Sequence, residues 1–142
     1  MAHAGQVLEG PGGFRLRLVR TGAETDGELL EMEATYAGTG AMPPEHLHPN
    51  QAERFEVLEG AVQTDLGGVE RRYEAGESFE VPAGTPHTMG ADVPARLRWQ
   101  VRPALRMAEF FEQLYGAMAA GEGERIPALF EEFSEEIRIT ER

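Results

Sequence analysis

Three of the chain's four histidines fall in two glycine-bounded stretches, and their placement restricts the fold more than any other feature. Residues 40–60 read GAMPPEHLHPNQAERFEVLEG, and residues 76–87 read GESFEVPAGTPH. His46 and His48 are two apart, so on an extended chain both side chains leave the same face. Glu53 follows just beyond a Pro49-Asn50 turn, where the chain can double back toward them. His87 comes after the turn Pro82-Ala83-Gly84. Three imidazoles and one carboxylate suit a divalent first-row transition metal better than Mg²⁺ or Ca²⁺, which take mostly oxygen. Singly, each residue has a plainer reading: a surface His-x-His pair, a solvated glutamate, a histidine in a turn. Together, with turn glycines between them, four fitting positions are hard to reach by accident. His3, near the start of the chain, reads as part of a mobile terminus rather than as a ligand.

These positions resemble the two motifs of the cupin superfamily. Gly40, His46, His48, Glu53 and Gly60 fit every fixed position of the first motif, with four residues between His48 and Glu53. Gly76, Pro82, Gly84 and His87 fit the second, which departs only at Ala91, where the family often carries a non-ligating Asn. The resemblance covers residues 36–101. It implies an all-β fold, an antiparallel double-stranded β-helix or jelly-roll barrel, with a metal held inside by His46, His48, Glu53 and His87. Fe, Mn, Ni, Cu and Zn all suit that ligand set. Cupins commonly pair through their outer sheets, so a homodimer is expected. With the helical tail described below, the whole chain is similar to small single-domain bacterial cupins.

A chain of 142 residues, 41% hydrophobic and 27% charged, is one ordinary globular domain. It has no cysteine, which excludes disulfides, thiolate metal sites and cysteine nucleophiles. The net charge of −12, from 25 acids against 13 bases, repels phosphate backbones and argues against a nucleic-acid partner. Every one of those bases is arginine, so lysine Schiff-base chemistry is ruled out. No apolar run approaches the length of a membrane span and the first residues do not read as a leader, so no membrane partner and a cytoplasmic location are expected.

Along the chain, alternation marks strands. Phe14, Leu16 and Leu18 alternate with arginines, and Leu30, Met32, Ala34 and Tyr36 alternate with Glu31, Glu33 and Thr35. Residues 21–27 read as a polar loop. Ala61–Leu66 and Val69–Tyr73 flank Gly67-Gly68, a hairpin signal. Leu97, Trp99 and Val101 close the series, giving about nine strands over residues 1–102. From Pro103 the period becomes helical. Met107, Phe111, Leu114 and Met118 form one stripe, and Ile126, Leu129, Phe130, Phe133 and Ile137 form a second. Residues 103–142 are thus expected to be a two-helix hairpin in the same domain, packed on the barrel's outer face or on a partner subunit.

Inward parity predicts a pocket lined by Phe55, Val57, Phe79, Val81, Met89 and Trp99, with Tyr36, Gln51 and Gln63 as polar neighbours. Such a pocket favours an apolar or aromatic small molecule with one chelating edge. No basic cluster points inward, which disfavours sugar-phosphate substrates. Three functions fit: a metal-dependent enzyme, dioxygenase-like or a lyase/isomerase, in which Glu53 both ligates and accepts a proton; a non-catalytic metal-bearing binding protein; or a barrel whose metal is only structural.

Overall fold

Alternating burial builds most of the fold. The computed structural model describes residues 2–140. In β3 (Leu30–Tyr36), Leu30, Met32 and Ala34 are buried while the intervening glutamates face out. In β5 (Ala52–Glu59), Glu53, Phe55 and Val57 are buried. With β1 (Val7–Glu9), β2 (Arg15–Arg20), β8 (Ser78–Val81) and β10 (Ala95–Arg102) these strands form a six-stranded antiparallel sheet, ordered β1-β2-β3-β10-β5-β8. Its outward face is laced with charge pairs such as Arg17–Glu33 at 3.2 Å and Arg98–Glu56 at 2.8 Å. Exposed pairs of this kind add little stability, but they keep that face polar.

The second sheet contains β4 (His46–Leu47), β6 (Ala61–Leu66), β7 (Val69–Glu74), β9 (His87–Gly90) and β11 (Arg138–Ile139), ordered β11-β4-β9-β6-β7. The Gly67-Gly68 hairpin forms as its sequence predicts, with Leu66 opposite Val69 and both glycines at positive φ. Gly60 is needed more stringently: its φ is 72°, and a Cβ there would run into the Pro94 carbonyl. Here β5 turns into β6, so this glycine lets the chain pass from one sheet to the other.

The sheets face each other as a sandwich rather than closing into a continuous barrel, since no ladder joins their edge strands. Eleven strands are present among the described residues, against about nine expected. The two unforeseen ones, β1 and β11, are only three and two residues long, too short for alternation to register. Residues 21–27 also hold a one-turn helix, α1 (Gly22–Thr25), which Thr21 and Glu24 close with a capping box.

The C-terminal region departs furthest from expectation. Helix α2 (Met107–Ala119) starts four residues after Pro103, and α3 (Ile126–Glu132) stops well short of Ile137. Beyond it the chain turns and adds β11 to the five-stranded sheet, beside His46. Apolar residues of both helices wall a cavity together with Phe55 and Trp99 of the six-stranded sheet. No helix is long and apolar enough to cross a membrane.

Candidate metal centre

Three strands deliver the four side chains. His46 on β4 lies directly opposite His87 on β9, and His48 follows β4 by one residue on the same face. Their ligand nitrogens all lie within 4.8 Å of one another, with ring centroids 4.5–5.2 Å apart. Glu53 approaches from β5 on the facing sheet: its Oε1 is 3.2 Å from His48 Nε2 and 3.0 Å from His87 Nε2. Right-angled bonds of about 2.1 Å to a shared ion place neighbouring ligand atoms about 3 Å apart.

The hydrogen bonds around the rings all leave Nε2 free for the centre. His46 Nδ1 lies 3.0 Å from Pro44 O, His87 Nδ1 lies 2.8 Å from Thr85 O, and His48 Nδ1 lies 2.9 Å from Glu136 O. A carbonyl only accepts, so each Nδ1 carries the proton and each Nε2 points inward. This is how metal-ligating imidazoles are oriented. Glu53 is held likewise: Trp99 Nε1 donates to Oε2 at 2.8 Å, leaving Oε1 toward the histidines. His48 Nε2 and Glu53 Oε1 are buried without a hydrogen-bond partner, a costly arrangement that an ion between them would resolve. The residues therefore fit a divalent transition metal.

The cupin domain model matches residues 32–101, the segment that carries all four side chains. The chain belongs to the cupin superfamily. Solved cupin structures support the fold. KdgF from Halomonas sp. superposes with a TM-score of 0.61 at 23% identity, covering 69% of this chain and 86% of its own. An RmlC-like cupin from Shewanella frigidimarina also gives 0.61, at 22% identity over 72% of this chain and 86% of its own. Two curated relatives match over shorter spans. Quercetin 2,3-dioxygenase from Bacillus subtilis is 30% identical over 76 residues, 54% of this chain and 23% of that protein. A probable oxidoreductase, yanE, from Aspergillus niger is 41% identical over 58 residues, 39% of this chain and 22% of that protein. This cupin thus spans less than a quarter of the length of either curated relative.

The site's electrostatics follow from its burial. Burial, with His87 beside it, pushes the His46 imidazole down to about 4, so it is neutral near neutral pH. Burial opposes charge on His48 too, but the negative charge of Glu53 outweighs it and holds His48 above the ordinary imidazole range. Burial likewise opposes ionisation of Glu53, and His48 and His87 override it, holding the carboxyl well below the usual range.

The cluster opens into a cavity of about 570 Å³. Of the residues expected to line it, Tyr36, Phe55, Met89 and Trp99 do. Val57, Phe79 and Val81 do not: they are core, deeper in the sandwich, where Phe79 stacks between Phe55 and Tyr73. Gln51 is buried outside the cavity, where Nε2 donates to Pro103 O and Ala104 O and ties the first-motif loop to the approach of α2. Gln63 faces the surface and bonds Asp92. His3 is exposed and outside the cluster. Much of the remaining wall was not foreseen, including Phe110, Phe111, Leu114 and Tyr115 from α2, Phe130 from α3, and Ile137 beyond it. The helical stripes announced apolar faces in need of cover, but not that they wall the cavity beside the histidine cluster.

Proposed function

We propose that this cupin is a metal-dependent oxidoreductase of dioxygenase type, acting on a largely apolar, aromatic small molecule that presents a chelating pair of oxygens. One observation carries the reading: a cavity of about 570 Å³, walled mostly by apolar and aromatic side chains, opens directly onto a three-histidine, one-glutamate cluster. That volume suits a drug-sized molecule. No arginine lines the cavity among the described residues, so a phosphorylated substrate would find no partner there. The two curated relatives, named as a dioxygenase and a probable oxidoreductase, support the same class of chemistry.

In this reading His46, His48, His87 and Glu53 hold a divalent transition ion, which supplies Lewis acidity and, if redox-active, reaction with O₂. The chain's own groups prepare the site. The three carbonyl-bound Nδ1 protons lock the rings, and Trp99 fixes Oε2 of Glu53 while Oε1 faces the ion; on leaving the ion, Oε1 would be the base that takes the proton of a substrate hydroxyl. Phe55, Phe110 and Phe111 exclude water and stack on an aromatic body. The hydroxyls of Tyr36 and Tyr115 are kept protonated: burial, then Tyr115 and Glu53, push Tyr36 up, and burial pushes Tyr115 up to about 12. Both serve as neutral donors to a substrate oxygen.

The test is elemental analysis of protein purified without chelator, followed by O₂ uptake with quercetin as probe. Iron, copper, nickel or manganese near one per chain, with quercetin-dependent O₂ consumption, is the expected result. A metal-loaded protein that binds quercetin, seen as quenching of its single tryptophan, yet consumes no O₂ would make it a binding protein instead.

A further inference from the structure

One of the three ring-orienting carbonyls differs in kind from the other two. His46 and His87 find their Nδ1 acceptors two residues upstream in the chain, just ahead of their strands. His48 takes its acceptor from Glu136, 88 positions away in sequence, through a buried contact of 2.9 Å. The Glu136 carbonyl stays there because the segment around it is fastened from several sides. Arg106 lies 4.5 Å over the Phe133 ring and donates to Glu132 O at 3.1 Å. Asn50 donates to Glu135 O at 3.0 Å and to its carboxylate at 2.8 Å. Arg138 and Ile139 pair with Leu47 and His46, and Thr140 N donates to Glu45 O at 3.0 Å. The same segment walls the cavity through Ile137 and Ile139.

The acceptor matters because His48 has two competing demands on its proton. Glu53 Oε1, 3.2 Å from Nε2, favours a proton on that nitrogen, and a protonated Nε2 cannot ligate. The Glu136 carbonyl favours the proton on Nδ1, which leaves the Nε2 lone pair for an ion. Without that carbonyl the ring loses both its preferred tautomer and its rotational anchor.

We propose that residues 133–140 are a positioning element of the metal centre: the Glu136 carbonyl sets the tautomer and orientation of His48, so docking of this segment over the cavity and loading of the histidine site are one linked equilibrium. Linkage is reciprocal, so metal uptake stabilises the docked segment by the factor by which docking raises metal affinity. The inference rests on the metal reading of the histidines and not on the oxidoreductase reading.

Two substitutions at one position separate the carbonyl from the side chain. Ile137→Ala removes a cavity-facing side chain and leaves the backbone in place. Ile137→Pro drives residue 136 toward an extended backbone and deletes the Ile137 N–H bond to Phe133 O, 2.9 Å in the native chain, so the Glu136 carbonyl must move. Zn²⁺ affinity is read by competition with a chromophoric chelator, with far-UV circular dichroism to confirm folding. We expect Ile137→Pro to lose Zn²⁺ affinity by about tenfold or more, and Ile137→Ala to lose several-fold less, since it weakens docking of the segment but keeps the Glu136 carbonyl in place. Equal losses in both variants, or an Ile137→Pro affinity within about threefold of native, would overturn the proposal. Should the proline variant not fold, hydrogen exchange of the unaltered protein decides: Zn²⁺ should slow the amides of residues 137–140 about tenfold more than those of the β6–β7 hairpin. A uniform change, or none, would overturn it. Absence of Zn²⁺ uptake by the unaltered protein would remove the metal centre itself along with the inference.

Discussion

Trp99→Phe tests whether the indole proton is what aims Glu53 at the histidines. The native bond is 2.8 Å, from a neutral donor to an ionised carboxylate that is only 2% exposed. Phenylalanine keeps a ring between Phe55 and Phe111, each 5.3 Å from Trp99 by ring centroid, so stacking is largely retained. The hydrogen bond is lost outright, and Glu53 Oε2 has no donor to replace it. Hydrogen bonds to buried charged groups are worth about 1.5–3 kcal/mol. In a domain of this size the metal-free protein should therefore melt about 5–10 °C lower. The carboxylate also becomes free to rotate, and loss of a ligand's outer partner typically weakens metal binding by about 10–100-fold. Scanning calorimetry in chelator measures the first effect, and chelator-competition titration with Zn²⁺ the second. A melting point within about 2 °C of native, together with an affinity within about twofold, would refute the reasoning. A lower melting point with unchanged affinity would refute only the ligand role of Glu53, leaving its bond to Trp99 as a structural one.

Other outcomes follow from the same geometry. His48→Ala should cut bound metal sharply while far-UV circular dichroism stays native, and full occupancy by elemental analysis would contradict the assignment of that ring. Because the negative charge of Glu53 raises the His48 pKa against the opposing effect of burial, the metal-free site takes up a proton there more readily than a free imidazole does. Zinc must displace that proton, so affinity should climb as pH rises through and beyond the ordinary imidazole range, with proton release seen by calorimetry in buffers of different ionisation enthalpy. His46 acts on stability: its folded pKa of about 4 lies below the unfolded imidazole value, so the folded chain binds fewer protons, and that contribution is lost as pH falls from about 6.5 toward about 4. Acid titration of the melting temperature without metal should show that decline, and His46→Gln should flatten it. Leu114→Trp, on the α2 wall, should fill part of the cavity and lower quercetin affinity about tenfold or more while leaving Zn²⁺ affinity unchanged; equal loss of both would mean the helix supports the metal centre directly.

The sequence by itself marked out His46, His48, Glu53 and His87 and the strands that bring them together. His46 and His48 share a face because strand side chains alternate, and Phe55 and Val57 follow Glu53 inward for the same reason. Turn glycines such as Gly60 and Gly67 are legible because few residues other than glycine tolerate their backbone angles. Periodicity also disclosed two apolar helical faces, but it carries no information about what a face packs against. Tertiary structure decided that α2 and α3 would wall the cavity beside the histidine cluster, that the chain beyond Glu132 would abandon its helical pattern, and that the carbonyl of residue 136 would meet His48 Nδ1. These are long-range contacts made largely by backbone and by two-residue strands, which leave almost no mark on side-chain pattern. The same limit explains Val57, Phe79 and Val81. Parity correctly turned them inward, but only the depth of the sandwich separates a core position from a cavity wall.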